Sequence, residues 1–201
     1  MYNSIQEIIN KLDFNSISQK RIKELEILIN YIQKKHDKNT EINLNFICTH
    51  NSRRSQFSQL WAKVAADHNH IHITSLSGGV EVTAFNERAI ASLKRFGFGI
   101  TNSELKNNSV YSIKWSATTP SLLMFSKLFD NKINLVSSFA AIMTCAHADE
   151  NCPFIPGTEA RIPIRYNDPK EFDNTPLEAK MYDTRSLEIA TEFFYIFSRI
   201  K

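Results

Sequence analysis

Between residues 42 and 65 the spacing of apolar side chains changes once, and that change prescribes a strand, a loop and a helix in that order. Ile42, Leu44 and Phe46 alternate with Asn43 and Asn45, the period of a β-strand. From Phe57 onward, Leu60, Trp61, Val64 and Ala65 recur at helical spacing on one face. Between the two lies Cys48-Thr49-His50-Asn51-Ser52-Arg53-Arg54-Ser55, polar and cationic. A loop that turns from a strand into a helix gathers backbone N–H groups in its own concavity, with the positive end of the helix behind them.

A loop of this kind binds anions, and its residue types say what else it can do. A cysteine at a helix N-terminus beside arginine ionises far more readily than a free one, so Cys48 is expected as a thiolate nucleophile. Arg54, five residues beyond the cysteine's neighbour, offers a planar fork to two oxygens of one anion, each bond worth on the order of 1.5–3 kcal/mol. Lysine lacks that geometry. Ser55 can donate its hydroxyl to the sulfur, and Asn51 can brace the loop through its backbone. The plainer alternative is a buried free cysteine near surface arginines.

The rest of the chain reads as alternating strands and helices. Two helical patterns come first, around Ile5 to Leu12 and through Ile22, Leu25, Leu28, Ile29 and Ile32, with Ser16 and Gln19 as a capping box for the second. A boundary is expected near residue 40, giving a helical extension over 1–40 and an α/β domain over 41–201; the extension either covers a sheet face or forms a dimer contact. A second strand is expected over Ile71 to Leu76, stopped by Gly78-Gly79, and a helix over Asn86 to Phe96. Val110 to Trp115 and Leu122 to Lys127 suggest an inserted hairpin, Ala140 to Thr144 another buried strand, and Asp183 to Ser198 a closing amphipathic helix. Such alternation implies a parallel sheet covered by helices on both faces.

Composition narrows the function. A chain of 201 residues, 42% hydrophobic, can bury one sizeable core. A net charge of +3 demands neither nucleic acid nor an anionic membrane as partner. The start of the chain has no basic segment followed by an apolar run, and no stretch is apolar enough to span a bilayer, so a cytoplasmic location is expected. The three cysteines, Cys48, Cys145 and Cys152, are too few and odd in number for a disulfide framework. No flavin or nicotinamide motif is present, and no cofactor is expected.

Phe46-Ile47-Cys48-Thr49-His50-Asn51-Ser52-Arg53-Arg54-Ser55-Gln56 resembles the active-site loop of the low-molecular-weight protein tyrosine phosphatase superfamily, and most its thioredoxin-coupled arsenate reductases. The likeness continues through Ser77-Gly78-Gly79, through Cys145 to Pro153 and into Asp168-Pro169, and covers residues from about 42 to 201, with 110–135 inserted. The resemblance implies a four-stranded parallel sheet. It implies Cys48 as nucleophile, Arg54 as oxyanion clamp, Asp168 as general acid, and Thr49, His50, Asn51, Ser52, Arg53 and Ser55 as the oxyanion-binding loop. His50 stands where the family usually has glycine, which crowds the loop if that position needs a positive φ. Arg53 stands where a second cysteine is common. Family reductases can hold a potassium ion through an acidic residue, but the matching position is Gln59, so that ion is not expected.

The cysteine pair separates two reactions. Reducing arsenate takes two electrons, which thiols can supply: Cys48 forms an adduct, Cys145 attacks its sulfur, and Cys152 passes the oxidation outward to a thioredoxin. The polar Ala146 to Asn151 stretch is expected to rearrange for this. A phosphate-monoester hydrolase needs only Cys48, Arg54 and Asp168 and is the alternative; a non-catalytic oxyanion or redox sensor is a third class. Two metal readings stand beside these, zinc on Cys145, His147, Asp149 and Cys152, and a metal on His68, His70 and His72 sharing one strand face. Pro169 is expected to hold Asp168 extended, either above the anion or as an ordinary turn initiator.

Overall fold

Leu44 and Phe46 are fully buried on one side of the strand β1 (Asn43–Cys48), and Ile47 on the other. The alternating asparagines are buried too, because Asn43 and Asn45 donate their amides to the carbonyls of Ser137 and Phe129. The computed structural model describes residues 1–103, 107–134, 137–151 and 155–201. In it β1 lies inside a four-stranded parallel sheet, flanked by β2 (Thr74–Gly79) and β6 (Phe139–Met143), with β7 (Thr158–Pro163) beyond β6. Register runs from Asn43 opposite Thr74 to Cys48 opposite Gly79 on one side, and from Leu44 opposite Ala140 to Ile47 opposite Met143 on the other.

Helices cover both faces. The larger core packs α3 (Arg54–His68), α4 (Glu87–Arg95) and α6 (Glu178–Ser198) against Leu44, Phe46, Ala140 and Ile142. Phe46 meets the Phe193 ring edge-on at 5.3 Å, and Trp61 meets Phe98 at 5.2 Å while its indole N–H donates to Ser186 at 2.9 Å. On the opposite face a smaller cluster joins Ile47, Cys48, Ala141, Met143 and Cys145 to Ala148 of α5 (Ala146–Asn151).

The first helices α1 (Asn3–Ile9) and α2 (Gln19–Asp37) share the larger core: Ile5, Leu25, Leu28 and Ile32 have no exposed surface. Arg21 of α2 forks onto Glu192 of α6 at 2.7 and 2.9 Å, and Glu192 also accepts from Tyr166. The cap of α2 is Ser18, whose hydroxyl accepts from the Arg21 amide, rather than Ser16, whose hydroxyl is spent on the Asp13 carbonyl one turn earlier.

Other boundaries differ from expectation for physical reasons. Strand β2 runs through Gly78-Gly79 instead of stopping there, because both glycines admit neighbouring backbone: a Cβ at Gly78 would lie 2.2 Å from the Phe129 Cα. The inserted hairpin exists as β4 (Tyr111–Lys114) and β5 (Leu122–Met124), and β3 (Gly99–Asn102) extends it to a three-stranded antiparallel sheet. The expected fifth-strand residues from Phe125 to Lys127 leave the ladder to brace the loop after Cys48. Ala146 to Asn151 forms a helical turn and a half where a polar connection was expected. No helix among the described residues is long and apolar enough to cross a membrane.

Candidate active site

The loop after β1 is shaped by the fate of its carbonyls. Those of Cys48, Thr49, His50, Asn51, Ser52 and Arg53 accept in turn from the Val80 amide, the Glu81 amide, the Ser126 hydroxyl, the Gln56 side-chain amide, the Asn86 amide and the Phe57 amide, at 2.8 to 3.3 Å. Every one of these donors lies outside the hollow of the loop. Among the described residues nothing accepts from the amides of His50 through Arg53, so these donors remain for the anion-binding role expected of the loop.

Asn51 is the keystone. It is fully buried with φ of 46°, a left-handed conformation that asparagine tolerates better than most residues. Its side-chain amide donates to Ser55 and to Ser77, both at 2.9 Å, while its oxygen accepts from the Lys127 amide at 3.0 Å. Ser77 in turn donates its hydroxyl to the Gln59 side-chain oxygen at 2.6 Å. With Asn51 filling an acceptor site on Ser55, the Ser55 proton is free to point at the Cys48 sulfur, 3.0 Å away. The positive φ therefore falls on Asn51 and not on His50, so the imidazole does not crowd the loop; it turns outward to within 3.2 Å of the Glu81 carboxylate. Gly79 makes the close approach possible, since a Cβ there would lie 2.7 Å from the Thr49 oxygen and 2.8 Å from the Asn51 nitrogen.

Two arginines converge on one carboxylate. Arg54 donates to the Tyr166 carbonyl at 3.1 Å and to Asp168 at 2.7 Å; Arg53 donates to the same carboxylate at 2.8 and 3.4 Å. Burial opposes ionisation of Asp168, but Arg54 and Arg53 hold its carboxyl below the ordinary range. As the proline spacing implies, Asp168 is extended, with ψ of 122°, and it caps the short turn that begins at Pro169. Between Cys48, His50, Ser52, Arg53, Arg54 and Asp168 remains a cavity of about 10 Å³. Beside it opens a recess of about 550 Å³, bounded by His50, Arg53, Phe85, Asn86, Tyr111 and Lys170.

Cys145 follows β6 at the same end of the sheet. The Thr144 amide donates to the Ile47 carbonyl at 2.8 Å, which continues the β1–β6 pairing to the cysteines, and both thiols are free and buried in one apolar cluster. The Cys145 sulfur touches the Thr49 hydroxyl at 3.5 Å and accepts from the Ala148 amide at 3.4 Å. Cys152 lies outside the described residues. The zinc reading shares Cys152 and so lies partly outside the described residues, but its Asp149 is committed to Arg161 and Arg165; His68 ends α3 and His70 is left-handed in the turn after it, so His68, His70 and His72 do not share a strand face.

The supports of the loop outside the motif were not anticipated. Ser126, Lys127 and Tyr166 carry no local signal of a role, and the buried Lys127 is chemically unusual: with its ammonium 4.8 Å from the Phe125 ring and no carboxylate bound among the described residues, burial pulls it from 10.5 to about 8.

No family model matches the chain. An arsenate reductase of Staphylococcus aureus (strain Newman) is 31% identical over 125 residues, which are 62% of this chain and 76% of that protein; arsenate reductase 2 of Staphylococcus epidermidis (strain ATCC 35984) gives the same identity and coverage. In fold, a mutant of YwlE from Bacillus subtilis is similar with a TM-score of 0.50 at 12% identity, covering 79% of this chain and 98% of the other. An arsenate reductase solved in the phosphate binding state is similar with a TM-score of 0.50 at 19% identity, covering 80% and 99%. With relatives of this identity and coverage, the chain belongs to the family of these arsenate reductases and is an enzyme.

Proposed function

We propose that the protein reduces arsenate to arsenite with electrons from its own thiols. Arsenate enters the cradle, its oxygens taken by the loop amides and the Arg54 fork, which releases Asp168. The Cys48 thiolate attacks arsenic, a sulfur–arsenic bond forms, and water leaves. The Cys145 thiolate then attacks the Cys48 sulfur; the disulfide forms as the sulfur–arsenic bond breaks, and its electron pair stays on arsenic, now arsenite. Cys152 attacks Cys145, freeing Cys48, and a thioredoxin dithiol reduces the Cys145–Cys152 disulfide.

The observation that carries this reading is the second thiol: a free, buried Cys145 that follows the strand beside that of Cys48 and packs in the same cluster. A hydrolase has no use for it. The polar contacts of that sulfur among the described residues are one hydroxyl and one amide, with no ion pair to break before it attacks. Phosphate-monoester hydrolysis is the second reading, favoured by Asp168 at the cradle and by a recess far larger than a tetrahedral ion fills. The two separate on Cys145→Ser. Arsenite production with thioredoxin and its reductase should vanish while p-nitrophenyl phosphate hydrolysis stays within about threefold; an enzyme with all three cysteines that yields no arsenite sinks the reading.

A further inference from the structure

We infer that Arg53 sets the reaction specificity of the site: by keeping Asp168 in a second guanidinium, it withholds the proton that a phosphate-ester leaving group needs and leaves the cradle suited to arsenate. The inference rests on the arsenate reading above and concerns the balance between the two reactions.

Arg53 binds both oxygens of Asp168, at 2.8 and 3.4 Å, whereas Arg54 binds one, at 2.7 Å. An oxyanion beneath Cys48 takes the Arg54 fork. Asp168 then still has Arg53, together with the Lys170 amide at 3.1 Å. The other groups facing this pair are Tyr182 of α6, with Asp173 beside Arg53. The side chain of Arg53 is only 10% exposed, so water screens the pair little.

The two reactions differ in what they ask of Asp168. In ester hydrolysis a sulfur–phosphorus bond forms, the phosphorus–oxygen bond breaks, and the departing alkoxide takes a proton from the acid. An ionised carboxylate has none to give. Dihydrogen arsenate brings its own: the sulfur–arsenic bond forms, one arsenic–oxygen bond breaks, and that oxygen leaves as water with both arsenate protons. The reduction therefore tolerates an ionised Asp168, and the hydrolysis of poor leaving groups does not.

The test compares phenyl phosphate, whose leaving group needs a proton, with p-nitrophenyl phosphate, whose leaving group does not. The native protein should turn over the nitrophenyl ester about 10²-fold faster or more, and Asp168→Asn should barely change that ratio. Arg53→Gln should narrow the ratio by about tenfold, Arg53→Lys should keep it near native, and Asp168→Asn added to Arg53→Gln should restore it. A native ratio near unity, or an unchanged ratio in Arg53→Gln, overturns the inference. The native ratio and its response to Asp168→Asn decide the matter even if Arg53→Gln does not fold. Absence of arsenite from the native protein would end the reductase reading instead, without touching the comparison of esters.

Discussion

The two sulfur-bearing corners of the sheet are built in opposite ways. Around Cys48, six successive carbonyls are bound from outside and Asn51 satisfies three neighbours at once, so the cradle is rigid before any anion arrives. Around Cys145, the polar contacts of the sulfur among the described residues are an amide at 3.4 Å and a hydroxyl at 3.5 Å, beneath a helix of six residues. On the proposed reading, one corner is fixed to recognise the anion, and the other holds the sulfur that must travel to form a disulfide.

Substitutions test that contrast, and the strongest removes the nucleophile. Cys48→Ser should lower both arsenate reduction and ester hydrolysis on the order of 10⁴-fold or more in a steady-state assay if, as proposed, the adduct forms on Cys48. Asn51→Ala strikes the rigid corner next. It leaves the buried Lys127 amide without its acceptor and the buried Ser77 hydroxyl oxygen without its donor, and urea denaturation should show a loss of about 3 kcal/mol.

Lys127 offers a test with a sign. Its folded-state value lies near 8, below its ordinary 10.5, so the buried ammonium opposes folding below pH 8 and the penalty fades as pH rises through 8 to 10.5. Lys127→Met should therefore stabilise the protein by about 2 kcal/mol near pH 6, with the gain shrinking toward zero at high pH in urea titrations. Asp168 runs the other way. Its carboxyl is depressed, so its ion pairs stabilise the fold above the ordinary carboxylate range, and the stability difference from Asp168→Asn should disappear as pH falls through the depressed value. The smallest effect is expected for His50→Gly: His50 does not need a positive φ, so arsenate KM should change by less than about threefold and stability by about 0.5–1 kcal/mol through chain entropy.

The same contrast explains what the sequence could disclose. The cradle was legible because its parts are contiguous: a strand period, a cysteine, an arginine five residues on from its neighbour and a helix period fall within about two dozen residues. Its bracing was not, because Ser126 and Lys127 reach His50 and Asn51 across 76 residues, and such contacts leave no local period. Strand β7 escaped notice since Thr158-Glu159-Ala160-Arg161-Ile162-Pro163 alternates poorly, and Asn43 and Asn45 concealed a wholly buried strand by satisfying loop carbonyls. The doubled clasp on Asp168 was invisible for a related reason: two adjacent arginines and an Asp-Pro pair, more than a hundred residues apart, reveal nothing of each other until folded.

The most direct measurement follows a single turnover. A Cys152→Ser protein, fully reduced and given one equivalent of arsenate without thioredoxin, should release one equivalent of arsenite and show a Cys48–Cys145 disulfide by peptide mass spectrometry. Recovery of intact arsenate with both thiols still alkylatable would contradict the account.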